Sequence, residues 1–307
     1  MPVASDPHVF LIGRPPIAEL ISFVRTMAVN GQTADLGALV EQWRAANDHV
    51  MKLEKEEAGL ADNPPLMALD NALKPLASVL VNDSVFKRSY QFVPTDVAVV
   101  DLNRLVVFQK FINLTFVDEL KHRIGANPSP ETIFNFALPL NSEMPPVQLM
   151  QNAQNMYTLV SPSTDFRFIE HRILGPHQVN GFDSSGHPVT ILGISIGYGS
   201  NFLNVLNVEN RMILGNGSHR AYALRDLGLT HVPCLVQKIT RRDELDLVAS
   251  GDVVANPDRY LKSPRPPMLR DYFDPALQTV VPVYRKNRSV RVQYAIEQSD
   301  IPAPEVQ

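Results

Sequence analysis

Residues 211–238, RMILGNGSHRAYALRDLGLTHVPCLVQK, constrain the fold more than any other stretch of this chain. Met212-Ile213-Leu214 is a short apolar run with the length and punctuation of a buried strand. Gly215-Asn216-Gly217 follows, and its glycines open backbone angles closed to other residues. Ser218 is a candidate cap for a helix whose apolar positions Ala221, Leu224 and Leu227 recur at helical spacing. Gly228 stands where such a helix stops. Val232-Pro233-Cys234-Leu235-Val236 reads as a second buried strand. The unit is strand, glycine turn, helix, strand.

Such a turn has a definite chemistry. The first N–H groups of a helix lack intrahelical acceptors, and the helix dipole reinforces them, so this end of a helix attracts anions. Glycines let a phosphate come close to the backbone. His219 and Arg220, in the first turn, add donors, and a guanidinium can grip phosphate through two N–H groups. The residues alone fit equally well a turn whose glycines serve only the chain reversal and whose His219 and Arg220 face solvent.

Gly217-Ser218-His219-Arg220 is similar to the Gly-Cys-His-Arg of sulfiredoxins, and Ala221-Tyr222-Ala223-Leu224, Leu227-Gly228 and Val232-Pro233 continue the same pattern. About thirty contiguous residues thus resemble the signature of the ParB/sulfiredoxin superfamily, with weaker agreement over 97–124. The resemblance implies an α/β (or α+β) fold, with a mixed-sheet domain at 86–245 between a helical N-terminal region (1–85) and an irregular, proline-rich C-terminal extension (246–307). It implies binding of a nucleotide, ATP or another nucleoside triphosphate, with Mg2+. Gly215, Asn216, Gly217, Ser218, His219 and Arg220 would form the phosphate cradle, with Arg220 pointing into it. Ser218, His219 and Arg220 would be the catalytic candidates for hydrolysis or phosphoryl transfer, a reaction that depends mainly on positioning and charge. A ParB-like nuclease acting on DNA and a non-catalytic, nucleotide-switched binding module are the alternatives.

The chain also departs from that family. Ser218 stands where sulfiredoxins carry the reactive cysteine, and the one cysteine, Cys234, lies in an apolar strand where a thiol is inert packing, so sulfinic acid reduction is not expected. No helix-turn-helix follows the core, which argues against chromosome partitioning. Some relatives carry a catalytic glutamate near the position of Gln109; here there is none.

Composition narrows the setting. With 307 residues and 45% hydrophobic content, the chain can bury a sizeable core, and its net charge of −4 gives no general attraction to nucleic acid. One cysteine rules out an internal disulfide framework and suits a reducing compartment. No apolar run approaches a membrane span, and the first residues lack a signal-peptide pattern, so a cytoplasmic protein is expected.

Along the rest of the chain, 15–80 reads as helical: Pro15-Pro16 opens one helix, Thr33 is a candidate cap for a longer one, and Pro64-Pro65 opens a third that Pro75 kinks or breaks. Runs at 97–100 and 105–108 are β-rich, and Thr115 is a candidate cap for a helix ending before Gly125. Lys121, His122 and Arg123 suit its C-terminal end. A short helix is expected at 130–136, then strands at 157–160, 166–173, 189–196 and 202–208, with 181–187 as a hairpin loop. His171, His177 and His187 have no recognised metal-ligand spacing. Glu170, Asp183 and Glu209 are better candidates for a hard cation, which takes one or two carboxylates plus substrate phosphates. Beyond 256, arginines and lysines interleaved with tyrosines make nucleic acid a second candidate partner, against a tail simply clamped on the surface.

Overall fold

A computed structural model describes residues 4–140, 143–179, 181, 185–249 and 251–302. The chain opens with β1 (Ser5–Leu11), α1 (Ile17–Met27) and α2 (Leu36–Glu56). The two proline-started and Asp-capped helices follow the apolar spacing, although the cap of α2 is Asp35, whose carboxylate accepts from the Ala38 amide at 3.0 Å, and not Thr33. Strand β1 was not anticipated: HVFLI is an apolar run too short to signal more than a local preference. Next come α3 (Lys74–Asn82) and α4 (Ser84–Ser89). Pro75 sits in the first turn of α3, where its missing N–H costs nothing, so it starts that helix and does not break one.

The middle of the chain supplies β2 (Thr95–Asp101), β3 (Phe111–Asn113), α5 (Leu114–Ile124) and α6 (Pro130–Ala137), then β4 (Gln148–Ala153), β5 (Met156–Ser161), β6 (Phe166–Leu174) and β7 (Ile191–Tyr198). Strands β8 (Asn204–Val208) and β9 (Arg211–Asn216), helix α7 (Ser218–Asp226) and strand β10 (His231–Ile239) form the segment singled out above. Short helices α8 (Leu245–Val248), α9 (Asp252–Ala255) and α10 (Pro257–Leu261) precede β11 (Gln278–Tyr284) and β12 (Arg288–Gln293). Helices and strands are mixed along the chain, as an α/β or α+β fold requires. Among the described residues no helix is long and apolar enough to cross a membrane.

The chain divides into two compact units, Met1–Ser142 with Ser200–Arg285, and Glu143–Gly199 with Lys286–Gln307. These do not follow the three-part division 1–85, 86–245 and 246–307. Long-range strand pairing is the reason: β11 pairs antiparallel with β1, and β12 pairs antiparallel with β5. The C-terminal region is correspondingly less irregular than its prolines suggest. It contributes two strands and the buried side chains Val253, Tyr260, Leu261, Met268, Leu269, Tyr272 and Leu277.

The first unit holds a sheet in the order β2-β10-β8-β9, with β10 and β8 parallel and the outer pairs antiparallel, and a second sheet in the order β11-β1-β3. Its largest apolar cluster gathers β2, β8, β9, β10, α5, α6 and α7. The second unit holds a sheet β12-β5-β4 and a two-stranded ribbon β6-β7.

Candidate functional site

Gly217 adopts φ 89° and ψ 25°, the left-handed conformation that glycine takes without strain, and so turns β9 directly into α7. A Cβ on Gly217 would lie 2.8 Å from Leu203 Cδ1, so Leu203 closes that side of the turn. Gly215 likewise passes hard against the Asn204 side chain. Both glycines are therefore required by packing against the segment leading into β8. Asn216 Nδ2 donates to the Ser200 carbonyl at 3.1 Å, and Arg220 donates to the Asn201 carbonyl. Residues 200–204 are thus held across the turn.

The cap of α7 is Gly217, not Ser218. Ser218 is the first helical residue, and no side chain caps the helix. Ser218 and His219 keep part of their surface in solvent, whereas Arg220, Ala221, Tyr222, Ala223 and Leu224 are buried. Arg220 therefore does not project freely into an anion site; its guanidinium holds protein backbone in place.

His219 is also placed differently from a solvent-facing cation. Its Nε2 accepts the Asn113 backbone N–H at 3.0 Å, and its ring meets Phe116 edge-on at 5.4 Å. Desolvation, with a smaller contribution from His8, lowers its pKa to about 4. At neutral pH the ring is uncharged, and the bond to Nε2 puts its proton on Nδ1. Asn113 joins three parts of this region. Its Oδ1 caps α5 by accepting from the Phe116 amide at 3.1 Å, and its Nδ2 donates to Asp6 Oδ2 at 3.3 Å. Arg285 donates to both oxygens of Asp6, and that pairing holds the Asp6 carboxyl below its ordinary pKa. His8 lies opposite Asn113 in the β1–β3 pairing, stacks on Phe111 at 5.4 Å, and leaves its buried Nδ1 without a hydrogen bond.

Asp6, His8, Asn113 and Arg285 were not readable as site residues, because each lies more than sixty residues from the turn. The one local signal was an Asn ahead of a helical pattern, in Asn113-Leu114-Thr115. Gln109 is not at the turn; its amide donates to the Phe111 carbonyl at 3.2 Å and its own carbonyl accepts from Tyr272. Cys234 is fully buried, its Sγ 3.3 Å from the Leu203 carbonyl, and burial pushes its thiol pKa up. That is the environment of an inert thiol.

The proposed cation ligands are scattered. Glu170 pairs with Arg172 and Glu209 with Arg242, while Asp183 lies outside the described residues. His171, His177 and His187 are exposed. Among the described residues no group of three or more His, Cys, Asp or Glu is arranged to hold a metal ion. The Asp6 carboxylate, linked to the turn through Asn113 and His219, is engaged by Arg285 and Asn113. No family model, curated protein or solved structure matches this chain.

Proposed function

We propose that the turn opening α7 binds the phosphate of a nucleotide, ATP being the first candidate, and that the protein acts through binding. The observation that carries this reading is the uncapped start of α7. Gly217, in its left-handed conformation, begins a nine-residue helix with no side-chain cap, and Ser218 beside it is only partly buried. Backbone N–H groups at such a helix start need acceptors, and phosphate oxygens supply them. The resemblance of Gly217-Ser218-His219-Arg220 to a nucleotide-binding turn supports the same assignment.

The contacts also support stopping at binding. Neutral His219 adds no positive charge, and its Nε2 is engaged by Asn113, so it is not available there as a base. Arg220 is a positioning residue, holding 200–204 against the turn through the Asn201 carbonyl. No step is assigned to a metal ion.

Equilibrium titration with each of the four nucleoside triphosphates, with and without Mg2+, tests the reading. Ser218→Asp is the informative variant. An acidic residue in the first helical turn suits the dipole and leaves the fold intact, but repels a phosphate. At least one nucleotide should bind the wild type and bind Ser218→Asp at least about tenfold more weakly, with unchanged thermal unfolding. Equal affinities, or no binding of any nucleotide, would overturn the assignment.

A further inference from the structure

The second unit contains a strand whose sequence is complementary to itself. Strand β6 runs Phe168-Ile169-Glu170-His171-Arg172-Ile173-Leu174 to its end. Read in either direction from His171, it gives one charged residue and then apolar ones, and the two charges are opposite. The pairing with β7 fixes the face that each residue takes. Phe168, His171 and Ile173 lie opposite Ile196, Ile194 and Leu192, while Glu170 and Arg172 lie opposite Ser195 and Gly193. The register shift at Ile169 puts Phe168 and His171 on one face, where their rings stack at 6.3 Å. Glu170 and Arg172 share the other face and pair at 2.9 Å, both of them meeting solvent.

That strand also has an open edge. In the first unit, outer strands are covered by other chain segments. Val106 donates to Met212 and accepts from Leu214 beside β9, Met67 exchanges two bonds with Val99 of β2, and Val29 donates to Pro282 of β11. In the ribbon, β6 pairs with β7 and, among the described residues, with no other strand. Every second residue of β6 therefore turns its backbone N–H and C=O outward, which is a template for a further strand. A two-stranded ribbon is marginal by itself, and added strands stabilise it.

We propose that β6 is a dimerisation edge: two copies of this chain join β6 to β6, antiparallel about a twofold axis at His171, into a four-stranded sheet β7-β6-β6-β7. A twofold axis makes the contact self-complementary, each residue meeting its reversed counterpart. Centred on His171, it sets Glu170 of each copy opposite Arg172 of the other. Charges on an edge strand ordinarily keep copies apart, because like charges directly opposite are destabilising. Here the order acid, His, base turns that repulsion into attraction. Charge also separates β6 from the other outer strands of this unit. β12 carries arginines and no acid, while β4 and β7 carry no charge that could set a register. The contact is made by backbone groups and these charges, so the face holding Ile173 and Leu192 stays in water. An edge of this size gives a weak dimer that dissociates on dilution, and unfolding of the dilute chain is that of the monomer. The surface is separate from the α7 turn and does not depend on the nucleotide reading.

Sedimentation of the full chain from low to high micromolar concentration, at low salt, tests the proposal. The wild type should show a reversible monomer–dimer equilibrium. Glu170→Arg and Arg172→Glu each set like charges opposite one another and should weaken it at least about tenfold. Combining the two exchanges acid and base and should restore it. His171→Cys places two thiols at the axis, where opposed Cα atoms about 4.5–5.5 Å apart suit a disulfide. Under mild oxidation it should form a covalent dimer at least about tenfold faster than Leu192→Cys, which is also exposed but lies on the neighbouring strand. The native Cys234 is fully buried and takes no part. The substituted side chains meet solvent, so each variant should keep the fold, which thermal unfolding checks. Absence of a dimer at high micromolar concentration would overturn the proposal. So would a dimer that Glu170→Arg leaves intact, one that the double exchange fails to restore, or equal crosslinking of His171→Cys and Leu192→Cys.

Discussion

The two units use similar residue types in opposite ways. Among the described residues all three apolar clusters lie in the first unit, where Val9, Leu80, Ile213, Leu224 and Leu235 have no solvent exposure. In the second, Ile173 is 80% exposed and its cross-strand partner Leu192 is 65% exposed. Geometry explains the contrast. A four-stranded sheet with helices against it encloses its apolar faces, whereas the two-stranded ribbon β6-β7 has too little breadth to cover either of its own. Apolar content alone does not make a core; layering does. The polar groups follow the same division. Buried charges in the first unit are held in networks, as at Arg265, while Arg172–Glu170 in the second is an open surface pair.

The sharpest way to break that comparison is to remove matching arginines. Arg265→Met would leave Asp271 buried without its cation and take one of two arginines from Glu57, which keeps Arg270, and should lower unfolding stability by about 3–5 kcal/mol in denaturant titration. Arg172→Met, where both partners are solvated, should change it by less than about 0.5 kcal/mol. Similar losses at the two positions would refute the distinction.

Next in size is a pH effect confined to the first unit. His219 has a pKa of about 4 when folded and an ordinary value of about 6.5 when unfolded. Above 6.5 both states are neutral and the stability is fully present. As pH falls from 6.5 toward 4 the unfolded chain takes up a proton that the folded ring refuses, so stability declines by up to about 3 kcal/mol and then levels. His8, also depressed by burial, acts in the same direction; the Asp6 shift operates at lower pH. His219→Gln should remove most of that slope in urea unfolding measured across the window. Parallel pH profiles for variant and wild type would show that the ring is solvated.

Legibility in the sequence followed the range of the forces involved. The β9–α7–β10 segment was readable because its glycines, apolar spacing and stop signal all act within thirty residues. The ribbon strands were readable too, from β-rich runs between turn residues. What escaped was long-range: β1, placed by β11 and β3, and the burial of Arg220 and the engagement of His219, which depend on residues 200–204 and on Asn113. A first-turn arginine reads as an anion ligand until the chain that crosses it is known.

The smallest expected effect is the most direct probe of the exposed ribbon. Ile173 and Leu192 face each other across β6 and β7, and changing both to Thr keeps a residue suited to strands while removing apolar surface. Because that surface already meets water, little transfer free energy is lost, and the cross-strand contact contributes only a fraction of a kcal/mol. The double variant should therefore unfold within about 0.5 kcal/mol of the wild type. The same change at Ile213, which is fully buried in β9, should cost at least about 2 kcal/mol, since it opens a void and buries a hydroxyl. Sedimentation should accompany the unfolding measurements. A double Thr variant that lost stability comparable to Ile213→Thr, or that changed the oligomeric state, would show that the ribbon's apolar side chains are covered in solution and that the contrast between the two units is one of partners, not of exposure.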